Sequence, residues 1–440
     1  MRVFNLVWAG QAASLIGSRM TTFGIGVWVF ARTGSTTAFA TLILAGSLPG
    51  LLTLPLAGVL TDRFDRRRIM LLSDIGTAAT PLALLALNAA GLLRPWHLYA
   101  MVAVGAVFQA FQWPAFSSLI TQIVAKDDLS RANGRVGVAE AGGIVLGDLL
   151  GGTLYAVVGL GGLLLVDLTS FCLAVCTTLL SYRLLPIIPA ARPKDAERRP
   201  VHAEMAEGWR FIRQRGGLLG LLVFFAFYNL TMAMALVLVT PLVLSSHPPS
   251  TLGVINAVGA VGMIGVSGVM SVTRQPRRLV RAVLLVAVLH SGLLLAMGGS
   301  HGAPVLLTVG MFGVLGGYAV TNAVTATLWQ RKTPASVQGR VFSVRRMIAW
   351  SADPIAFAVA GPVTEYVGRP LAEGPLTDSA GRLTGTGTGG AVAMVFVLSG
   401  LLLALVVAVT CVPRAVRRME RDLPDAEQPV AEPVPAAPAP

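Results

Sequence analysis

Seven ionisable side chains interrupt long apolar sequence in this chain: Arg19, Asp74, Glu140, Asp148, Asp167, Arg345 and Asp353. Groups of this kind, placed where water is scarce, take up and release protons, pair with one another or steer charged ligands. Polar uncharged residues accompany them in other apolar stretches: Gln11, Ser14, Ser18 and Thr22 at helical spacing, then Gln109, Gln112 and Trp113, then Tyr228 and Asn229, then Tyr318 and Asn322. Aromatic, amide and hydroxyl groups in an apolar setting suit a largely apolar ligand with a few polar substituents, although interhelical hydrogen bonding and core packing explain any single one of them better. Bond-making chemistry has no such support. The chain lacks a Gly-x-x-x-x-Gly-Lys phosphate loop and any Ser-His-Asp, haem or metal-ligand spacing. Cys172, Cys176 and Cys411 read as small packing residues. No cofactor, metal or enzyme activity is expected.

The elements that carry these groups are apolar stretches of about 20 residues, the length needed to cross hydrocarbon as a helix. Only 12% of the 440 residues are charged and 54% are hydrophobic, against about 25% charged in soluble domains. The net charge of +13 therefore has no soluble basic face on which to bind nucleic acid. Twelve spans fit, at roughly 4–30, 37–60, 69–92, 97–122, 134–158, 160–183, 218–245, 250–272, 280–298, 303–329, 341–367 and 390–412. Of 34 Lys and Arg, 29 fall at the end of the bundle shared by both termini and four at the other. The positive-inside rule then places both termini in the cytoplasm. Trp8 and Trp329 at inner helix ends, with Trp28 and Trp96 at outer ones, read as an aromatic belt.

The predicted fold is all-α and polytopic, with 12 transmembrane helices in two pseudo-symmetric six-helix halves, 1–183 and 218–415. Between them lies a cytoplasmic linker, 184–217. It contains an amphipathic helix expected to turn Met205, Trp209, Phe211 and Ile212 to lipid. The Pro-rich end, 416–440, is expected to be disordered. An internal repeat supports the two halves: Gly134-Arg135-Val136 aligns with Gly339-Arg340-Val341 at an offset of 205, and the same offset places Asp148 on Asp353. Parallel six-span repeats are a transporter arrangement, with the substrate site near mid-membrane.

On these residues the sequence resembles the major facilitator superfamily. "GVLTDRFDRR", Gly58 to Arg67, is similar to that family's signature between spans 2 and 3, with Asp65 where glycine is usual. "WAGQAASLIGSRM", "QWPAFSSLITQIVAKDDLSRANG" and "VDLTSF" resemble the drug:proton antiporter subgroup that includes macrolide and enterobactin exporters. The resemblance implies alternating access around a cavity lined by spans 1, 4, 7 and 10. It also implies a conformational latch in the loop of Gly58, Asp62, Arg63, Arg66 and Arg67, in which the Asp62 carboxylate engages the span-11 cations Arg340, Arg345 or Arg346. Gly134, Gly143, Gly147, Gly151 and Gly152 stand at the spacing of the antiporter glycine signature in span 5, with Asp148 in place of its proline. The resemblance thus implies export, by antiport against protons, of amphiphilic small molecules such as drugs, macrolide-like antibiotics, siderophores or secondary metabolites. The proton gradient drives it, with no cofactor. The setting expected is a monomer in the bacterial inner membrane, with lipid, substrate and protons as partners. An importer of the same fold and a non-transporting scaffold or sensor are the alternatives.

Depth along each helix, at 1.5 Å per residue, sorts the charges. Asp74, about 7 Å inside its span, is expected to reach water, as are Glu140 and Arg345. Arg19, Asp148 and Asp167 reach a common layer about 21 Å in, so Arg19 is expected to pair with one of the two acids. Asp353 sits at the same depth in the other half, with no cation foreseen beside it. Either it exchanges the coupled proton while Asp148 stays ionised, or Asp353-Pro354 is a local kink and cap.

Overall fold

The computed structural model describes residues 2–64, 66–124, 128–184, 201–273, 276–373, 381–413 and 419–422. Long helices dominate, because backbone polar groups in hydrocarbon must be satisfied within their own segment. The N-terminal group comprises α1 (Arg2–Thr33), α2 (Thr36–Arg63), α3 (Arg66–Ala89), α4 (Pro95–Ile123) and the 56-residue α5 (Leu129–Leu184). Ser35 starts α2 by accepting the Ala38 N–H at 3.2 Å. Pro95 opens α4, where its missing N–H costs nothing. α5 is two arms joined at Gly159, whose φ of +62° breaks the helix and turns the chain back.

The short α6 (Val201–Arg213) leads into the second group: α7 (Gly216–Leu244), α8 (Pro249–Val272), α9 (Leu279–Gly298), α10 (Pro304–Lys332) and α11 (Ala335–Val363). α11 continues through a π turn, Thr364–Gly368, before α12 (Gly387–Cys411). Among the described residues, nine stretches are long and apolar enough to cross a membrane, and one of them, Gly134–Ser181, covers both arms of α5.

α1 packs along α5, and α3 against α4 and α5; in the second group α10 packs on α8 and α9, and α12 on α7 and α9. The groups meet chiefly along α5–α8 and α2–α11. These crossings lie at the end of the bundle away from the termini. There Phe23, Val27, Phe30, Phe39 and Ala40 of α1 and α2 join the apolar core of α7–α12. At the opposite end the first group has its own core, built on Phe4, Val7, Met70, Leu119, Ile120 and Ala132.

Four expectations are corrected here. Helix α6 turns Ile212 wholly into the protein, with Met205 and Phe211 against the same core, and leaves Trp209 partly exposed. It docks on α11, where a Cβ on Gly208 would lie 2.5 Å from the Arg340 carbonyl. Trp329 is fully buried rather than part of a belt. Within the stretch expected to be disordered, Met419–Asp422 is helical: Glu420 accepts the N–H groups of Leu279 and Val280 and so caps α9, and Met419 is buried. Helix α3 starts at Arg66 rather than 69, which sets Asp74 about 12 Å along it.

Candidate functional site

Each helix group holds a cavity. The first, of about 540 Å³, is walled by α1–α5, and its lining includes Gln11, Ser14, Ser18, Thr22, Gln109 and Gln112, whereas the family resemblance implies one cavity shared by spans 1, 4, 7 and 10. Aliphatic groups (Ile25, Leu42, Ile43, Leu84 and Val102) complete the wall, and Arg19, Glu140 and Asp167 bring charge to it. The Trp113 side chain lies outside the described residues. The second cavity, about 400 Å³, is lined by Asn229, Tyr318, Asn322 and Asp353, together with Thr321, Arg345 and Arg346. Two arginines thus share the Asp353 cavity, where the sequence reading foresaw no cation. Asp353 itself is exposed to it.

Tyr228 does not line that cavity. It is buried, with its hydroxyl 2.8 Å from His290 Nδ1 and donating to Thr321 Oγ1 at 3.3 Å. His290 is wholly buried and fits only because Gly317 has no side chain: a Cβ there would sit 2.3 Å from its Nε2. This polar trio joins α7, α9 and α10.

Asp74 is the group whose environment differs most from expectation. It is wholly buried rather than wet. Gln11 Nε2 donates to its Oδ2 at 2.9 Å, and Gln112 Nε2 donates to its Oδ1 at 2.8 Å and to Gln11 Oε1 at 2.8 Å. Three helices, α1, α3 and α4, are tied by one carboxylate.

Asp167 is 3% exposed and accepts the Ser18 hydroxyl at 3.1 Å. Asp148 lies within reach of the Asn256 amide on α8. Arg19 forms an ion pair with neither acid in this conformation; among the described residues no such pair lies within 4 Å. Its stem instead crosses Gly147, where a Cβ would meet Arg19 Cβ at 2.4 Å.

The glycine series has two faces. Gly143, Gly147 and Gly151 face α1, against Leu15, Arg19 and Phe23. Gly152 faces α8: a Cβ there would be 2.7 Å from the Pro249 carbonyl oxygen and 3.1 Å from Gly253 Cα. Gly134 has open space around it. The α2–α11 crossing is built the same way, since a Cβ on Gly361 would be 2.4 Å from Thr37 Cα.

The side chains of Asp62, Arg63, Arg66 and Arg67, and the surroundings of Gly58, lie outside the described residues. Two of their foreseen partners make contacts within the second group and its leading helix. Arg340 forms an ion pair with Glu207 of α6, and Arg345 stacks over the Trp329 ring at 5.7 Å.

Residues 7–358 match the Major Facilitator Superfamily. The chain belongs to that superfamily. It is therefore an integral multi-pass membrane protein. Among relatives of this superfamily member, macrolide efflux protein A of Streptococcus pyogenes is 27% identical over 220 residues, 50% of this chain and 53% of the relative. The chain thus spans about half the length of that relative. Multidrug efflux pump Tap of Mycolicibacterium fortuitum is 26% identical over 367 residues, 80% of this chain and 87% of the relative. Of solved structures, an inward-facing bacterial homologue of the human lysosomal transporter Spinster has a TM-score of 0.67 at 14% identity, with 98% of both chains covered. An inward-facing bacterial homologue of the iron transporter ferroportin has a TM-score of 0.67 at 14% identity, covering 92% of this chain and 99% of that one.

The residues missed from sequence are Asp74 as a buried node, His290 as the partner of Tyr228, and Arg345 and Arg346 as cavity groups. Their signal was helical phase. Ser73, Asp74, Thr77 and Thr80 share the buried side of α3, while Leu72, Ile75 and Leu82 are exposed.

Proposed function

We propose that this superfamily member is a secondary active exporter, which moves amphiphilic small molecules out of a bacterial cell by antiport against protons. Residues 1–183 and 218–415 act as two six-helix halves of a monomer in the inner membrane, with both termini cytoplasmic and 184–217 linking them. The observation that carries this reading is the pair of crossings at Gly152–Gly253 and Gly361–Thr37. Among the described residues they bring backbone against backbone at the outer end, while the first half keeps a separate core at the inner end. Two bodies that touch at one end, each with a partly open cavity of its own, can rock about that contact, which is what alternating access requires. The cavity walls, apolar with scattered amides and hydroxyls, suit an amphiphile. The names of the two efflux relatives support the direction and the drug-like class.

The reading is tested in inverted membrane vesicles with erythromycin and ethidium. An inward proton gradient relative to the cell should drive accumulation of at least one of them, and collapsing the gradient should stop it. Accumulation that is indifferent to the gradient removes the antiport reading.

A further inference from the structure

We infer that Asp74 is a proton-binding site of the first half, and that a proton there and a cationic amphiphile in the adjoining cavity exclude each other through Gln11 and Gln112. This rests on the antiport reading and deepens it. Asp74 lies outside the groups that the family resemblance singles out.

The geometry makes the exchange specific. As a carboxylate, Asp74 accepts on both oxygens, one from each glutamine, and Gln112 Nε2 also reaches Gln11 Oε1. Both donors to the acid are amide N–H groups. Adding a proton turns one oxygen into a donor facing another donor. The amide opposite must then rotate and present its carbonyl, because a buried donor without an acceptor is costly. Both glutamines also line the 540 Å³ cavity, so the rotation changes what the cavity offers.

The unprotonated arrangement favours one ligand chemistry. With its Nε2 committed to Asp74 and Gln11, Gln112 keeps its carbonyl oxygen for other partners. That oxygen accepts from a ligand ammonium. The charged groups facing the cavity from the surrounding helices are Arg19 on α1, and Glu140 and Asp167 on α5. Among the described residues the polar groups that α4 offers there are Gln109 and Gln112, and α3 adds Thr77 and Thr80 beside Asp74; the Asp62 and Arg63 side chains of α2 lie outside the described residues. Two lining acids plus Asp74 against one cation draw in a positively charged guest. Protonating Asp74 removes one negative charge and turns the amide. The proton and the cation thus compete, and that competition is the requirement for exchange.

The second half repeats the layout with other residues. His290 on α9, its third helix, is tied to Tyr228 on its first and Thr321 on its fourth. Asp74 on α3 is likewise tied to α1 and α4. In each group a buried titratable side chain joins the same three positions.

The test uses the full-length protein with Cys172, Cys176 and Cys411 replaced by serine and spin labels at Leu92→Cys and Val305→Cys, both exposed at the outer end. The distance distribution between labels is measured in acid and in alkaline buffer. Wild-type background should shift between the two. Asp74→Asn, which carries the uncharged acid's shape, should lose the shift and stay in the acid distribution at both. A variant that shifts as the parent does overturns this proposal alone. A parent indifferent to pH overturns the antiport reading beneath it. Should Asp74→Asn fail size-exclusion chromatography, Gln112→Leu decides: loss of the shift supports the proposal, and a parental shift overturns it. In the folded parent, dodecylammonium, whose N–H groups can donate to the Gln112 carbonyl, should release protons into weakly buffered neutral solution on binding; uptake, or binding without release, overturns the exclusion.

Discussion

Replacing Gly152 by alanine should unlock the end of the bundle away from the termini. The new Cβ would stand 2.7 Å from the Pro249 carbonyl oxygen and 3.1 Å from Gly253 Cα, where ordinary contact begins at 3.4 Å. Neither neighbour is the tip of a flexible side chain. Helices α5 and α8 must therefore part by about 0.7 Å at the tightest point, in the state where their ends touch. Forcing a methyl group into packed surroundings costs about 1–3 kcal/mol. Alanine's better helix propensity does not offset this, because α5 is helical there in both states. The opposite state, with these ends apart, escapes the clash. The equilibrium should then move toward it by about 5- to 150-fold, taking 1.4 kcal/mol per factor of ten. The assay is maleimide labelling of a single cysteine at Val27, which is 2% exposed and belongs to the core joining the two groups at that end. Labelling follows the open population, so its rate should rise by the same factor. Gly134→Ala is the internal control, since no atom lies within 4 Å of the place its methyl group would take. Equal rates in Gly152→Ala and parent, or an equal rise in Gly134→Ala, would refute the assignment of this glycine to a state-dependent contact.

The same labelling should respond to Gly361→Ala, whose Cβ would meet Thr37 Cα at 2.4 Å; an unchanged rate there would confine the hinge to α5–α8. Tyr228→Phe keeps the ring beside Phe224 at 5.9 Å but removes the hydroxyl from His290 and Thr321. It should destabilise the protein by about 1–3 kcal/mol, read as a lower unfolding midpoint in detergent. At the α6 docking site, Ile212→Ala should cost about 2–5 kcal/mol and speed proteolysis of the linker. Glu207→Gln should change cleavage little, because its pair with Arg340 is 41% and 27% exposed and is worth about 1 kcal/mol or less.

Composition and apolar run length made the helical membrane fold legible, since hydrocarbon admits few other backbones. The glycine series was legible as spacing, but not as two faces. Gly151 and Gly152 are adjacent, yet one meets Phe23 of α1 and the other Gly253 of α8, because successive residues on a helix point about 100° apart. Which neighbour each one meets is a tertiary fact. The docking of α6 was hidden for a related reason: an amphipathic face looks the same whether lipid or protein covers it, and only the packing of Gly208 on Arg340 separates the two.

Asp74 shows what a depth count omits. Counting residues from the end of a span treats a helix as a rod with water at its mouth, and by that measure Asp74 was shallow. Phase carries the missing coordinate. In a bundle embedded in lipid the apolar face is turned outward and the polar stripe inward, the reverse of a soluble helix. On α3, Leu72, Ile75 and Leu82 are exposed while Ser73, Asp74, Thr77 and Thr80 are buried. An acid on that stripe meets α1 and α4 whatever its depth, and Gln11 and Gln112 are the residues waiting there. Arg19 and Asp148 make the converse case. They share a layer by depth and attract one another across it, but the Arg19 stem is spent crossing Gly147, and the two do not close into an ion pair in this state. Depth ranks which charges cannot reach water from a helix end; phase decides which of them have partners.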